Sequence, residues 1–514
     1  MTRVKKIYTG AFALMIAGLL SKVISAFYRI PLQNLTGDVG FYMYQQLYPL
    51  LGIASMLALY GFPAAISRYL AEWPSAKNKQ SYRRILCMMI GFCVVIALLI
   101  LWASPLIAGM MGDEQLIRAL RQLGWVFLLV PFVALLRGVT QAGHWMEPTA
   151  YSQMVEQLFR ACLLIATAIL IFYQHLAVHH IATGAIVATG SGLLLAALFL
   201  WPFYQRYTRK QIEPRTSLTG HSFRFLGRSI ILSGVVISLN HMLLLVMQLA
   251  DAFTMVPALS AYGFTLEEAR EWKGIFDRGQ PLVQLVTVLG SSLALALVPQ
   301  VTSLSWQMDQ QGTLEKIRST IKYAVLLSVG ATVGLLLLLP EINQLFFQNQ
   351  SGTTALRILA LAILFSSLAV TLAAILQGFG YMRWTAAILL VGLLLKLVLN
   401  DLLITRLGVN GGAVATVVTL AAIALSYDRL LRARIKVDRF RVLPWKQLLL
   451  ASGVMALLLY TLQLLLPVVD DRFYLFVIVL VKVAAGAAVY VFVLIKTGAL
   501  NQKEREQLSV RKQK

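Results

Sequence analysis

Runs of about twenty apolar residues, each closed by a polar or charged cluster, recur along almost the whole chain. An α-helix of that length crosses the hydrocarbon core of a bilayer. The pattern predicts fourteen spans, at about 9–33, 41–69, 84–109, 117–141, 150–173, 181–204, 227–250, 276–303, 320–343, 355–379, 384–406, 411–430, 446–467 and 473–496. Spans two and eight are the least regular, because proline and polar residues interrupt them. The first run follows a basic start, as in a secretion signal. It has no small-residue cleavage site and continues past Lys22, so it is expected to be a retained span. The links between spans are too short for a soluble domain. The longest external one, from about Asp251 to Asp277, carries Thr265-Leu-Glu-Glu268, the capping box of a short surface helix.

Charge turns this pattern into a topology. With both termini on the cytoplasmic side, 31 of the 45 Lys and Arg fall in cytoplasmic segments and 8 in external ones. This is the positive-inside bias of a correctly phased even-numbered bundle. The other six, Lys22, Arg29, Arg137, Arg160, Lys396 and Lys482, lie at membrane depth. A net charge of +23 would suggest nucleic acid in a soluble protein. Here the anionic cytoplasmic leaflet accounts for it, and no nucleic-acid partner is expected. Mean hydropathy of +0.74 and only 13% charged residues agree with an all-α polytopic protein of the cytoplasmic (inner) membrane.

The chain also repeats itself at an offset of 236 residues. Ala119-Leu-Arg121 recurs as Ala355-Leu-Arg357, Thr149-Ala150 as Thr385-Ala386, Arg160 as Lys396 and Pro63 as Pro299. Spans 1–6 therefore match spans 7–12. Six is even, so the two halves share one orientation, as in transporters whose substrate binds between parallel repeats. The expected organisation is an N-lobe at 1–210, a C-lobe at 211–432, two extra spans at 433–497 and a basic tail at 498–514. The two lobes are expected to flank a central cleft.

Cations at membrane depth cost about 2.5–3.5 kcal/mol each on insertion scales and normally face a cavity or a partner. Lys22 and Arg29 are seven residues apart, on one face of span one, and suit an anion; the Arg fork matches phosphate. Arg278, in Asp277-Arg-Gly-Gln-Pro281, reaches the cleft mouth or pairs with Asp277. Arg160 has Glu156 four residues before it, at ion-pair spacing. Lys396, its repeat mate, has no acid at that spacing, only Asn400, and both Arg160 and Lys396 are further candidates for substrate contact. Lys482 reads as a lone cation, for headgroup contact or transport, and Arg137 as a snorkelling anchor. Gln33 and Gln46 add polar groups at depth. Asn240, His241 and Gln248 bond between helices or line the cleft. Pro49, Pro63, Pro281 and Pro299 serve as bending points for alternating access or as plain kinks. Cys87, Cys93 and Cys162 lie within spans, the histidines lack ligand spacing, and no nucleotide-binding or nucleophile motif is present. No metal, cofactor or enzymatic activity is expected, and transport would draw on the membrane potential or an ion gradient.

Ser21-Lys22-Val23, Phe27-Tyr-Arg-Ile-Pro-Leu32, Gly37, Tyr48-Pro49 and Gly61-Phe-Pro-Ala-Ala-Ile-Ser-Arg68 carry a resemblance. This stretch resembles the stage V sporulation protein B-like branch of the polysaccharide-exporter family. That family belongs to the multidrug/oligosaccharidyl-lipid/polysaccharide flippase superfamily, which includes the lipid II flippases. The resemblance implies a cationic cavity from spans 1, 2, 7 and 8 for a lipid pyrophosphate sugar, and a groove at spans 13–14 for its polyprenyl tail. Lys22 stands where those flippases keep an arginine after a serine, Arg29 matches their next arginine with a one-residue shift, and Arg278 matches one opening span eight. Span two departs from them: Leu50-Leu-Gly-Ile-Ala54 has no arginine after Pro49, which leaves the cargo open. The reading is a flippase for a polyprenyl-pyrophosphate-linked saccharide, with membrane lipids around it and polysaccharide-synthesis enzymes as further partners. The competing readings are a cation-coupled multidrug exporter and, further off, a membrane glycosyltransferase or polymerase.

Overall fold

A computed structural model describes residues 16–211, 222–297, 301, 303–435, 443–466 and 471–499. The described residues are helical throughout, with no strand among them. Thirteen helices there are long and apolar enough to cross a membrane.

The first of these, Ile16–Glu72, has 57 residues, roughly 85 Å at the α-helical rise and far more than one bilayer. It divides into α1 (residues 16–27), α2 (Arg29–Met56) and α3 (Phe62–Glu72). Gly37, at φ 68°, turns the backbone inside α2, where a side chain would be strained, and so separates predicted spans one and two. Pro49 sits inside α2 without ending it. Pro63 cannot donate to the carbonyl four residues back, and the turn before it, Leu57–Gly61, widens to a π-helix.

Next come α4 (Lys79–Met110), α5 (Ile117–Ala142), α6 (Glu147–Tyr173) and α7 (His180–Gln211), close to predicted spans three to six. Predicted span seven is both longer and broken. A short α8 (Phe223–Leu226) passes through a π-helical turn, Gly227–Leu232, into α9 (Ser233–Asn240). The chain breaks at His241 and continues as α10 (Leu243–Tyr262). The expected external loop therefore shrinks to residues 263–265, because the apolar run around Asp251 stays helical. After it α11 (Leu266–Asp277) starts on the expected capping box, with Thr265 and Glu268 each bonding the other's backbone N–H. Then follow α12 (Gly279–Leu297), α13 (Ser303–Met308), α14 (Gln310–Phe347), α15 (Thr353–Ala360), α16 (Ala362–Gly378), α17 (Met382–Leu407), α18 (Val409–Ile435), α19 (Trp445–Leu465) and α20 (Arg472–Lys496). Pro281 lies in the first turn of α12, where a missing N–H costs little, and begins a helix. Pro299 lies outside the described residues.

The chain forms two compact units. One holds the described residues up to Leu285 together with Met382–Ala415. In it α2 packs against α6, α7, α10 and α11, and α9 packs against the π-turn before Pro63 and against α17. The other holds Val286–Tyr381 and the described residues from Thr416 on, where α14 packs against α16, α19 and α20. Trp102 is 82% exposed and Leu465 75%. Such large apolar surfaces are stable only against lipid.

Candidate functional site

Arg29 opens α2 and is 0% exposed. Its Nη2 donates to Ser25 Oγ at 3.5 Å, one turn earlier, and its guanidinium lies 4.1 Å from the centre of the Tyr48 ring. Its Nε and Nη1 have no hydrogen-bond acceptor, and it makes no ion pair among the described residues. Tyr28 and Tyr44 share a 2.6 Å hydroxyl bond beside it. Two turns earlier on the same side of the chain, Lys22 makes no ion pair or hydrogen bond among the described residues. Lys22 is half-buried and His241 exposed, and Lys22 lies close enough to influence both His241 and Tyr48. His241, at the break between α9 and α10, stacks on Tyr60 at 4.5 Å. Lys22, Arg29, Tyr48, Tyr60 and His241 thus lie near one another inside the first unit, two cations among aromatic rings.

The other cations at depth have acidic partners. Arg160 donates to Glu156 at 2.8 Å and to Ser55 Oγ at 2.9 Å. Arg137, expected to snorkel, is instead fully buried and donates to the other oxygen of Glu156 at 2.9 Å, to Ser152 and to the Ala58 carbonyl. Burial of Glu156 is what draws both guanidinium groups inward. Lys396 pairs with Asp251 at 2.8 Å and donates to Asn400 and to the Gly412 carbonyl. Lys482 is not the lone cation expected, since it pairs with Glu341 at 2.8 Å. Arg278 is fully buried. It forms a two-pronged pair with Asp38, while Asp277 is held by Lys273 at 2.6 Å.

The polar residues divide as well. Gln33 donates to Asp38 at 3.0 Å and so joins the Arg278 pair. Gln46 donates to the Ala252 carbonyl at 3.0 Å, linking α2 to α10. Asn240 donates to the Val236 and Met382 carbonyls and accepts from Thr385. Gln248 is buried and neither side-chain polar atom has a hydrogen-bond partner. Tyr28, Tyr44, Tyr48, Tyr60 and Ser25 were not singled out from the sequence as site residues. Only the density of tyrosine over 42–60 signals them.

Two close backbone contacts lie near these residues along the chain. A Cβ on Gly61 would fall 1.9 Å from Ser238 Oγ and 2.4 Å from the Gly234 carbonyl, so the π-turn before α3 and α9 touch at a pair of glycines. A Cβ on Gly274 would fall 2.1 Å from the Asp38 carbonyl, next to the Arg278 pair.

The family described as "Polysaccharide biosynthesis protein" matches residues 7–305, and the MatE family matches residues 277–402. The chain is 38% identical over 97% of its length to the uncharacterized membrane protein YabM of Bacillus subtilis (strain 168), covering 94% of that protein. It is 24% identical to the lipid II flippase MurJ of the same organism, over 97% of this chain and 96% of that one. A solved structure titled lipid II flippase MurJ, inward closed conformation, superposes with a TM-score of 0.63 at 13% identity, covering 93% of this chain and 97% of that one. At that identity the likeness is one of fold.

Proposed function

The chain belongs to the polysaccharide biosynthesis protein family, and we propose that it is a flippase of the cytoplasmic membrane for a polyprenyl-pyrophosphate-linked saccharide. The observation that carries this reading is Arg29, buried with two nitrogens unsatisfied and no ion pair among the described residues. A guanidinium in that state is costly unless an anion completes it, and its fork fits two phosphate oxygens. Lys22 supplies a second charge, so the site suits the two phosphates of a pyrophosphate. Tyr48, Tyr60 and His241 offer rings and polar edges on which a sugar can stack and bond. The polyprenyl tail stays in the lipid.

Alternating access supplies the mechanism. The Gly61–Gly234 apposition would close the site toward the cytoplasm, with both termini on that side as the Lys/Arg bias suggests. The Arg278–Asp38 pair would close it on the other side. Each opens in turn, and the membrane potential or an ion gradient drives the cycle. The similarity to the lipid II flippase MurJ supports this class of cargo. A drug exporter for organic cations fits less well. Its proton-coupling carboxylate would be Glu156, which two arginines already hold.

The test is native mass spectrometry of the purified protein with polyprenyl-pyrophosphate sugars, wild type beside Lys22→Ala/Arg29→Ala. Retention of a lipid-linked sugar by the wild type and its loss in the variant is the expected result. Equal retention by both would remove the two cations from the site.

A further inference from the structure

A cavity that shares no residue with the cluster around Arg29 opens on the outer face of the first unit. Its volume is about 550 Å³, within the range of roughly 300–1,000 Å³ typical of ligand sites. The floor is α5, contributing Phe132 and Leu136, and the walls are α4 and α7. The walls are aliphatic for most of their length. One end differs in character. There α4 begins, and Lys79 and Arg83 lie one turn apart on the face that lines the cavity. Both are exposed, and neither makes an ion pair among the described residues. Trp201 and Tyr204 stand at the same end on α7, their rings stacked at 5.8 Å.

The geometry points to a site for one anionic phospholipid, bound from the leaflet on the basic side of the membrane. An apolar cleft open to lipid accepts acyl chains. Two unpaired cations at its mouth match a phosphodiester, and aromatic rings at that level mark the headgroup zone. Basic pockets between membrane helices are known to hold such headgroups. A zwitterionic lipid would leave the two cations without a net partner, and a soluble anion would leave the apolar walls bare. The site stands apart from the cargo proposed above, and either can fail alone.

The experiment is native mass spectrometry of the full-length protein with phosphatidylglycerol or phosphatidylcholine of the same acyl chains. Each is compared in the wild type, Lys79→Ala/Arg83→Ala and Ala197→Trp. At roughly fivefold per basic residue, the wild type should retain phosphatidylglycerol over phosphatidylcholine by about tenfold or more. The double variant should lose that preference. Ala197→Trp fills the cleft between the walls and should lose retention of both lipids. Lys79 and Arg83 are exposed, so their removal leaves the packing intact, and Arg83→Ala alone should give an intermediate preference. Equal retention of the two lipids by the wild type would overturn the proposal, as would an unchanged preference in the double variant. Displacement of phosphatidylglycerol by polyprenyl phosphate at equal concentration would assign the cleft to an isoprenoid chain and overturn it too.

Discussion

Arg278 closes on both carboxylate oxygens of Asp38 across 240 residues of chain, and the guanidinium is fully buried. The pair ties the turn at Gly37 to the start of α12. Removing one partner strands a charge, which typically costs about 3–5 kcal/mol when buried. Asp38→Asn should therefore lower thermal stability in detergent far more than Asp38→Asn/Arg278→Gln, in which both groups become neutral. If the single variant is as stable as the double, the pair does not hold this junction.

Arg29 should behave in the opposite way. It makes no ion pair among the described residues, so Arg29→Ala removes an uncompensated charge. The apparent melting temperature should stay level or rise by the equivalent of about 1–3 kcal/mol, while transport of lipid-linked sugar falls by a hundredfold or more. Arg29→Lys keeps the charge but loses the fork, and should fall between. A large loss of stability with transport intact would mean that Arg29 is a structural residue.

The contrast between Arg29 and Arg278 shows what a sequence can and cannot convey. The spans were legible, because a bilayer imposes a length that apolar runs must meet. So were the break between the first two spans and the capping box at Thr265, since both depend on neighbours within a few residues. The cations at depth were visible as well. Which of them have acidic partners was not, apart from Arg160 with Glu156 one turn away. Lys396 meets Asp251, Lys482 meets Glu341 and Arg137 meets Glu156 from other helices, and no local pattern encodes that. Asp251 misled for the same reason. Read alone, it marked the end of a span, but Lys396 neutralises it and α10 runs on to Tyr262.

Glu156 provides a test of charge accounting inside the membrane. One carboxylate serves two arginines, so the cluster carries a net positive charge. Glu156→Gln should destabilise the protein by several kcal/mol, because both guanidinium groups lose their partner. Arg137→Met or Arg160→Met leaves one pair intact and should cost clearly less. Thermal unfolding of the three single variants in one detergent would settle the order. Equal losses in all three would mean that the two arginines do not rely on Glu156 as their shared counter-charge.

Glu268 offers a pH-dependent test outside the spans. Its carboxylate accepts from the Thr265 backbone and hydroxyl, which hold its pKa below the ordinary glutamate value. A group depressed in the folded state stabilises above its unfolded pKa and loses that contribution as pH falls through the folded one. The start of α11 should therefore stay protected from hydrogen exchange at pH 7 and loosen as the pH falls below about 4. Thr265→Ala should show the looser behaviour already at pH 7.

The glycines at 61 and 234 should be intolerant of added atoms for a reason separate from charge. A methyl group on Gly61 meets Ser238 and the backbone of Gly234, and one on Gly234 meets Phe62 at 2.5 Å. Neither neighbour is the free end of a long side chain, so the helices must part. Gly61→Ala should cost about 1–3 kcal/mol of stability. If this crossing is the cytoplasmic closure of a transport cycle, the same change should bias the protein toward the state open to that side. A cysteine placed at Lys22 would then react faster with a cytoplasmic maleimide in the Gly61→Ala background than without it. Slower or unchanged labelling would leave the two glycines as a packing contact with no part in gating.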